Sequence, residues 1–285
     1  MVETLNVAAP TANTLVSEEI HNQIVAALDH YLLTKENVIY IGEKPKPKKI
    51  KKRDGKKLIL LDEEPIPSSG TCPGGKYYYI TDKDKLLRLL SNWTKKKAWV
   101  AIDLETGCAW REKLDEDGET IRVYEEVIDP HTCPIFLVSL SVEPGVSVVF
   151  DIRPLKDDPE FLEIWRKFLT TCKLIAHNCM FEQSFLMAQF GVVCNFVYDT
   201  LLVHQLMTAG MDLGSSLGEL MERFCGVKMN KQWQKFFLSI DYKSPLPAEC
   251  IAYSAGDVCQ LLLLAKKLEE QLKSSGLYDV WIKYE

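Results

Sequence analysis

Three groups of acids lie where apolar stretches of this 285-residue chain come to an end. The first is Asp103-Leu104-Glu105, which closes the run AWVAIDLETG. Alternate residues of a strand face the same way, so Asp103 and Glu105 are expected to project together. Two like charges that close raise a pKa or require a cation. A hard divalent ion such as Mg²⁺, which takes carboxylate oxygens and waters, resolves that conflict. The second group is Asn178-Cys179-Met180-Phe181-Glu182, where the strand-like KLIAHN passes into a helical pattern. The third is Tyr253-Ser254-Ala255-Gly256-Asp257. Its i, i+4 spacing sets phenol and carboxylate on one helical face, and the small residues between them would admit another element or a ligand. Each pattern alone is weak. D-x-E recurs at Asp62/Glu64 and Asp117/Glu119, and Tyr-x-x-x-Asp at Tyr78/Asp82; a single short motif is more often a solvated acid or a helix cap.

These acids need elements to hold them. KYYYI is followed by a helical pattern, DKDKLLRLLSNWTKKK, and then by the buried strand that ends in Asp103. REKLDEDGETIRVYEEVIDPH is a charged excursion, a surface loop or an irregular hairpin. PIFLVSLSV and VSVVFDI flank the turn Glu143-Pro144-Gly145. Asp158-Pro159 is the N-cap and first-turn proline of the next helix. KLIAHN leads into a helix stopped by Gly191, and VVCNFVYD into TLLVHQLMTAG. Helical segments follow around Leu217–Phe224 and Lys231–Leu238, and then one long helix from about Leu246 to Ser274. Strands that meander first and alternate with helices later predict an α/β fold, a mixed sheet covered by helices.

Upstream, residues 1–62 predict a small N-terminal α+β extension. It holds an amphipathic helix with Ile20, Ile24, Leu28 and Leu32 four apart after Ser17, and the β-like runs VIYI and KLILL. Residues 63–75, EEPIPSSGTCPGG, read as a linker, and 76–285 as one domain.

Composition narrows the function classes. With 47% hydrophobic residues the chain is long and apolar enough to bury a core. No run of ~18–20 apolar residues is evident, and the first residues lack the layout of a signal peptide; an intracellular, cytoplasmic protein without a membrane is expected. The net charge of -6 hides an asymmetry: residues 44–57 carry nine Lys/Arg and one Asp, a local +8 that leaves -14 for the rest. An acidic body argues against a general nucleic-acid binder and for a site that concentrates carboxylates. The nine cysteines include no C-x-x-C pair, so neither a zinc ribbon nor a disulfide framework is expected.

Taken in order, D-x-E, N-x-x-F-(D/E) and Y-x-x-x-D resemble the DEDDy 3′–5′ exonucleases, which include the proofreading domain of DNA polymerase I-type enzymes, ribonuclease D and Werner-type exonucleases. The resemblance covers Lys76 to the end. YYYITDKDKLLRLL is similar to the family's lead-in, Asp199-Thr200-Leu201-Leu202 to its "DT-x-L" helix start, and SSLGELMERFCGVKMNKQWQ to the segment before the last motif. It implies a ribonuclease H-like fold, a mixed five-stranded sheet flanked by helices. It also implies two divalent ions, Mg²⁺ or Mn²⁺, held by Asp103, Glu105, Glu182 and Asp257 around a terminal phosphodiester. Asp103 would bridge the ions, and Tyr253 and Glu105 would orient the attacking water. One position departs from the family: the second motif ordinarily ends in Asp, and Glu182 moves that carboxylate outward by ~1.5 Å. Misplacement on that scale can cost ~10²-fold in rate.

Further residues are candidates for substrate contact: Leu104 and Thr106 beside the first acids, Asn178, Lys231 and Gln234. For Asn178, Lys231 and Gln234 a cap or an exposed face competes. Trp233, Phe236 and Phe237 would stack on bases or pack in the core. Asp199 reads as a helix N-cap or a group behind the acids, and His177 and His204 as core or supporting residues. EEQLKSSGLYDVWIKYE resembles the passage from a polymerase I-type exonuclease domain into its polymerase, and here the chain stops. A detached proofreading nuclease acting on the 3′ end of single-stranded DNA is therefore expected, with a separate DNA polymerase or other replication protein as partner. An RNA exonuclease on the same scaffold and a binding or structural subunit without turnover are the alternatives. The basic segment would hold nucleic acid, dock a partner, act as a nuclear-localisation-like run or be a solvated loop.

Overall fold

The computed structural model describes residues 67–284 apart from 109, 115–119, 125–127, 210, 212, 230–232, 234, 235, 238, 239 and 241; at 110–114 and 120–124 it describes the backbone alone. The expected N-terminal extension, residues 1–62, lies outside the described residues, with its basic segment.

The apolar run before Asp103 forms β3 (Trp99–Thr106). It is a central strand, antiparallel to β6 (Ile135–Glu143) and parallel to β8 (Lys173–Ala176). A strand covered on both faces reads as continuous apolar sequence, and β6 shows this fully, all nine of its residues being buried. The turn at Pro144-Gly145 joins β6 to β7 (Val146–Asp151) as an antiparallel pair. Gly145 lies at φ 87°, a left-handed conformation that glycine adopts without a Cβ clash. With β9 (Phe196–Asp199) parallel to β8, these strands give the order β7-β6-β3-β8-β9, the mixed five-stranded arrangement expected.

The sheet is larger than that. β1 (Ser69–Cys72) and β2 (Gly75–Tyr79) form an antiparallel hairpin, and β2 pairs parallel with β7, which brings the sheet to seven strands. Residues 69–75, expected as linker, therefore begin the sheet. Their Ser, Gly and Pro content misleads because β1 is an edge strand with alternate residues exposed, and it needs little apolar character. The charged excursion is a hairpin, β4 (Trp110–Leu114) with β5 (Thr120–Tyr124), in a separate two-stranded sheet.

Helices cover both faces. α1 (Lys83–Lys96) is capped by Asp82, whose carboxylate accepts from Lys85 N at 3.0 Å. α2 (Pro159–Thr171) starts as expected, with the Asp158 carboxylate accepting from Phe161 N at 2.9 Å and Pro159 in the first turn. Phe150 of β7 meets Phe161 and Trp165 of α2 on one face of the sheet. Its neighbour Val149 packs with Ile251 and Ala255 of α6 (Ala248–Cys259) on the other. α3 (Cys179–Phe190) ends at Gly191, and α4 (Thr200–Met207) follows β9 directly. α5 (Leu217–Leu220) carries a capping box between Ser216 and Glu219 and runs into a π-turn, Met221–Cys225.

The long final helix is two. α6 stops at Cys259, Gln260 turns the chain at φ -116° and ψ 9°, and α7 (Leu261–Ser274) begins. The break has a tertiary cause. The Cys259 carbonyl, which a continuous helix would use internally, accepts from Gly145 N at 2.8 Å. A last helix, α8 (Tyr278–Tyr284), follows α7 and lays Trp281 against Tyr198. By length and composition Ala248–Ser274 is long and apolar enough to cross a membrane, which the raw sequence did not suggest; 67% of its most apolar window is buried inside the fold, as befits a core helix.

Candidate active site

Three separate elements deliver the acids. Asp103 and Glu105 leave the end of β3 on one face, Glu182 sits in the first turn of α3, and Asp257 lies in the last turn of α6. One oxygen from each of Asp103, Glu105 and Asp257 lies within 4.8 Å of the others. Glu182 stands outside that trio but within electrostatic reach of Asp103 and Glu105. Glu105, Glu182 and Asp257 are buried, at 8%, 3% and 8% exposure.

Crowding shows in the proton affinities. Burial pushes the Asp103 carboxyl from its ordinary 3.8 up to about 7. Burial, and then the neighbouring acids, hold Glu105, Glu182 and Asp257 well above the usual carboxylate range. Tyr253 lies one turn before Asp257, and burial, then the Asp257 charge, raises its pKa, so the phenol keeps its proton.

Glu105 Oε1 and Glu182 Oε2 are buried with no hydrogen-bond partner. A buried carboxylate oxygen left unpaired is costly, and a divalent cation removes both the orphan and the repulsion. The donor set is all oxygen, which suits a hard ion such as Mg²⁺ or Mn²⁺. These residues fit such an ion, with Asp103, Glu105 and Asp257 as its first holders and Glu182 beside them.

The small residues before Asp257 serve close packing, as their sizes suggested. Ser254 Oγ is 2.6 Å from Ser139 Oγ, and Ser139 is the β6 residue paired with Asp103. Ser147 donates to the Ala255 carbonyl at 2.8 Å. A Cβ on Gly256 would come within 3.0 Å of Pro73. These contacts fix α6 against the sheet at the level where Asp257 must meet Asp103. Ser139 and Ser147 were missed from sequence; the available signal was a hydroxyl inside an otherwise apolar strand.

Asp199 does more than cap α4. Its carboxylate accepts from Leu201 N at 2.8 Å and Leu202 N at 3.3 Å, and also from Asn178 N at 3.0 Å and Cys179 N at 2.8 Å. It therefore holds the start of α3, and with it Glu182. Asn178, at φ 71°, is in the left-handed region that Asn tolerates better than most residues. Its exposed side chain makes no cap hydrogen bond.

The remaining candidates separate. Leu104 is buried at 4% and alternates to the face away from Asp103 and Glu105, while Thr106, beyond a bulge, is buried at 6%. Leu104 is therefore not presented beside the acids. Lys231 and Gln234 lie outside the described residues. Trp233 and Phe236 pack edge to face at 5.2 Å, and Phe237 is buried against Phe136, so these rings join the core cluster that includes Tyr253. His177 and His204 are supporting groups. His177 Nδ1 is 2.9 Å from Thr200 Oγ1, and burial lowers its pKa to about 4. His204 Nδ1 is 2.8 Å from Ser215 Oγ, and burial, then the Arg223 charge, lowers its pKa.

Comparison with known proteins places this arrangement. Among solved structures the fold resembles the catalytic core of RRP6 from Trypanosoma brucei, with a TM-score of 0.52 and 18% identity over 73% of this chain. The chain spans about half of that relative, 49% of its length. Trypanosoma brucei RNase D in complex with RNA U12 superposes with a TM-score of 0.52 and 19% identity, over 67% of this chain and 62% of the other. Brucella melitensis NrnC bound to pGG gives a TM-score of 0.50 and 22% identity, over 71% and 82%. At such identities the likeness is one of fold. Curated protein sequences return no match. The family model described as a 3′–5′ exonuclease matches residues 117–273, more than half of the chain. That stretch contains Glu182, Tyr253 and Asp257 and begins after Asp103 and Glu105, which the sheet places beside them. The chain belongs to this 3′–5′ exonuclease family.

Proposed function

We propose that this protein removes nucleotides from the 3′ end of a single-stranded nucleic acid by hydrolysing the terminal phosphodiester. The observation that carries this reading is the convergence of Asp103, Glu105 and Asp257 from β3 and α6, with Glu182 of α3 in electrostatic reach and two buried, unpartnered carboxylate oxygens among the four. Asp103, Glu105 and Asp257 would hold one divalent ion, and Asp103 with Glu182 a second. Ions bound there would supply hydroxide near neutral pH and neutralise charge on the phosphate. Tyr253, kept protonated by burial, would orient the attacking water together with Glu105. Asn178, exposed at the entrance of α3, would touch the substrate. Through its four backbone hydrogen bonds Asp199 would hold Glu182 in place.

Single-stranded DNA is the first substrate, on the resemblance to proofreading domains, with a separate polymerase as the partner class. RNA is the second reading. It is supported by the likeness in fold to an RNase D solved with RNA U12 and an NrnC solved with pGG. The paired assay uses 3′-labelled DNA and RNA of one sequence, with Mg²⁺ or Mn²⁺, for the native chain and Asp103→Ala. Metal-dependent release of mononucleotides that disappears in Asp103→Ala is expected. Release from neither substrate would overturn the enzyme, and release from RNA alone would overturn the DNA assignment.

A further inference from the structure

We propose that Cys72 and Cys259 are a redox-active pair that closes a disulfide in the presence of a small-molecule disulfide such as oxidised glutathione, tying β1 to the end of α6. The pairing does not depend on the exonuclease reading.

The backbone brings the two thiols close enough for each to perturb the other's proton affinity. Cys72 is the cross-strand partner of Gly75, where a Cβ would strike the Gly145 carbonyl and lie 2.8 Å from Cys259 Sγ. Residues directly opposite in an antiparallel pair have Cβ positions ~4.5–5.5 Å apart, so a sulfur that close to one such position is within reach of the side chain at the other. The turn between β1 and β2 is seated on the same helix end. Gln260 Nε2 donates to the Gly74 carbonyl at 2.6 Å, and Gly145 N to the Cys259 carbonyl at 2.8 Å.

Access is ordered. Cys72 is half-buried on the edge strand and Cys259 is fully buried behind it. The Cys259 neighbour and burial raise the Cys72 pKa, so the first step is slow near neutral pH: Cys72, the more exposed sulfur, loses its proton and attacks one sulfur of the small disulfide, whose other half leaves as a thiol. Cys259 then attacks the Cys72 sulfur of the mixed disulfide and releases the second thiol. The protein loses two electrons and two protons, and the small disulfide gains them.

Closing draws the sulfurs from contact to bonding distance, and β1 moves more readily than α6. β1 pairs with β2 alone, whereas α6 is held through Ser254 to β6 and through Ala255 to β7. Asp257 therefore stays in place. Positions so distant in sequence, once linked, strongly restrict the unfolded chain.

The full chain would be equilibrated in glutathione buffers of increasing oxidised fraction, alkylated and mapped by mass spectrometry, with Tm measured alongside. A peptide linked through Cys72 and Cys259 is expected, with Tm raised by about 5 °C or more, reversal by dithiothreitol and nuclease rates within twofold. Cys72→Ser should lose both the link and the shift. A stable glutathione adduct on Cys72, a link between other cysteines, an intermolecular dimer or unreacted thiols throughout would each overturn the proposal. Mapping the native chain is decisive whether or not the variant folds.

Discussion

If burial holds the Asp103 carboxyl at about 7, replacing it with asparagine should stabilise the metal-free protein while destroying its function. The rise from 3.8 to about 7 spans about three powers of ten in proton affinity. Each power is worth ~1.4 kcal/mol, so the ionised group costs the metal-free fold up to about 4 kcal/mol. Asp103 keeps part of its surface in solvent, and screening reduces the working figure to about 2 kcal/mol. The sign follows from proton counting. Between about pH 4 and 7 the folded protein binds the proton more tightly than the unfolded chain, so stability falls as pH rises through that window. Asp103→Asn removes the penalty, and it also relieves Glu105, Glu182 and Asp257, whose pKa values Asp103 helps to raise. In chelator, Tm should rise by about 4–8 °C at pH 8 and by little at pH 4.5. The native chain should gain Tm on adding Mg²⁺ at pH 8, and the variant should gain almost none. Nucleotide release should fall by roughly 10³-fold or more, the several kcal/mol that bound ions supply. Scanning calorimetry at both pH values, with and without Mg²⁺, decides the matter. A variant less stable than the native chain at pH 8 in chelator, or one that keeps its Mg²⁺ response, would refute the reasoning.

Tyr253→Phe should lower kcat by roughly 10–10²-fold with KM nearly unchanged, the range of a positioned proton-bearing group; Tm should hold, because the ring keeps its place in the aromatic cluster. Glu182→Asp withdraws the carboxyl by ~1.5 Å from Asp103, and should lower the rate by about 10-fold or more and raise the Mg²⁺ concentration needed; a faster enzyme would show that the longer side chain is a handicap. Asp199→Ala frees four backbone N–H groups at the starts of α3 and α4. It should cost about 2 kcal/mol or more, read as a Tm lower by at least about 4 °C, and it should weaken Mg²⁺ binding through the loosened Glu182.

What local chemistry governs could be read directly. A strand covered on both faces must be apolar throughout, so β3, β6 and β7 were visible and the acids at the end of β3 stood out. Asp158-Pro159 and Gly191 mark helix ends through side-chain capping and backbone freedom, effects that span three or four residues. The order of the three acidic motifs was equally legible, and so was the departure at Glu182. The edge strand at Ser69–Cys72 was not, because an edge strand needs few apolar residues and its composition imitates a linker.

Only the tertiary structure decided that acids of separate motifs meet. Asp103 and Asp257 are far apart in sequence, and no local rule brings them together. The sheet order and the seating of α6 on Ser139 and Ser147 bring them together. The same contacts divide the expected long helix at Gln260, where the Gly145 amide takes a carbonyl that a continuous helix would have kept. Asp199 gained its second role, holding the start of α3, only when β8 and β9 were laid side by side. Sequence supplied the groups and the elements that carry them. Their meeting point depends on long-range packing, which short-range spacing does not encode.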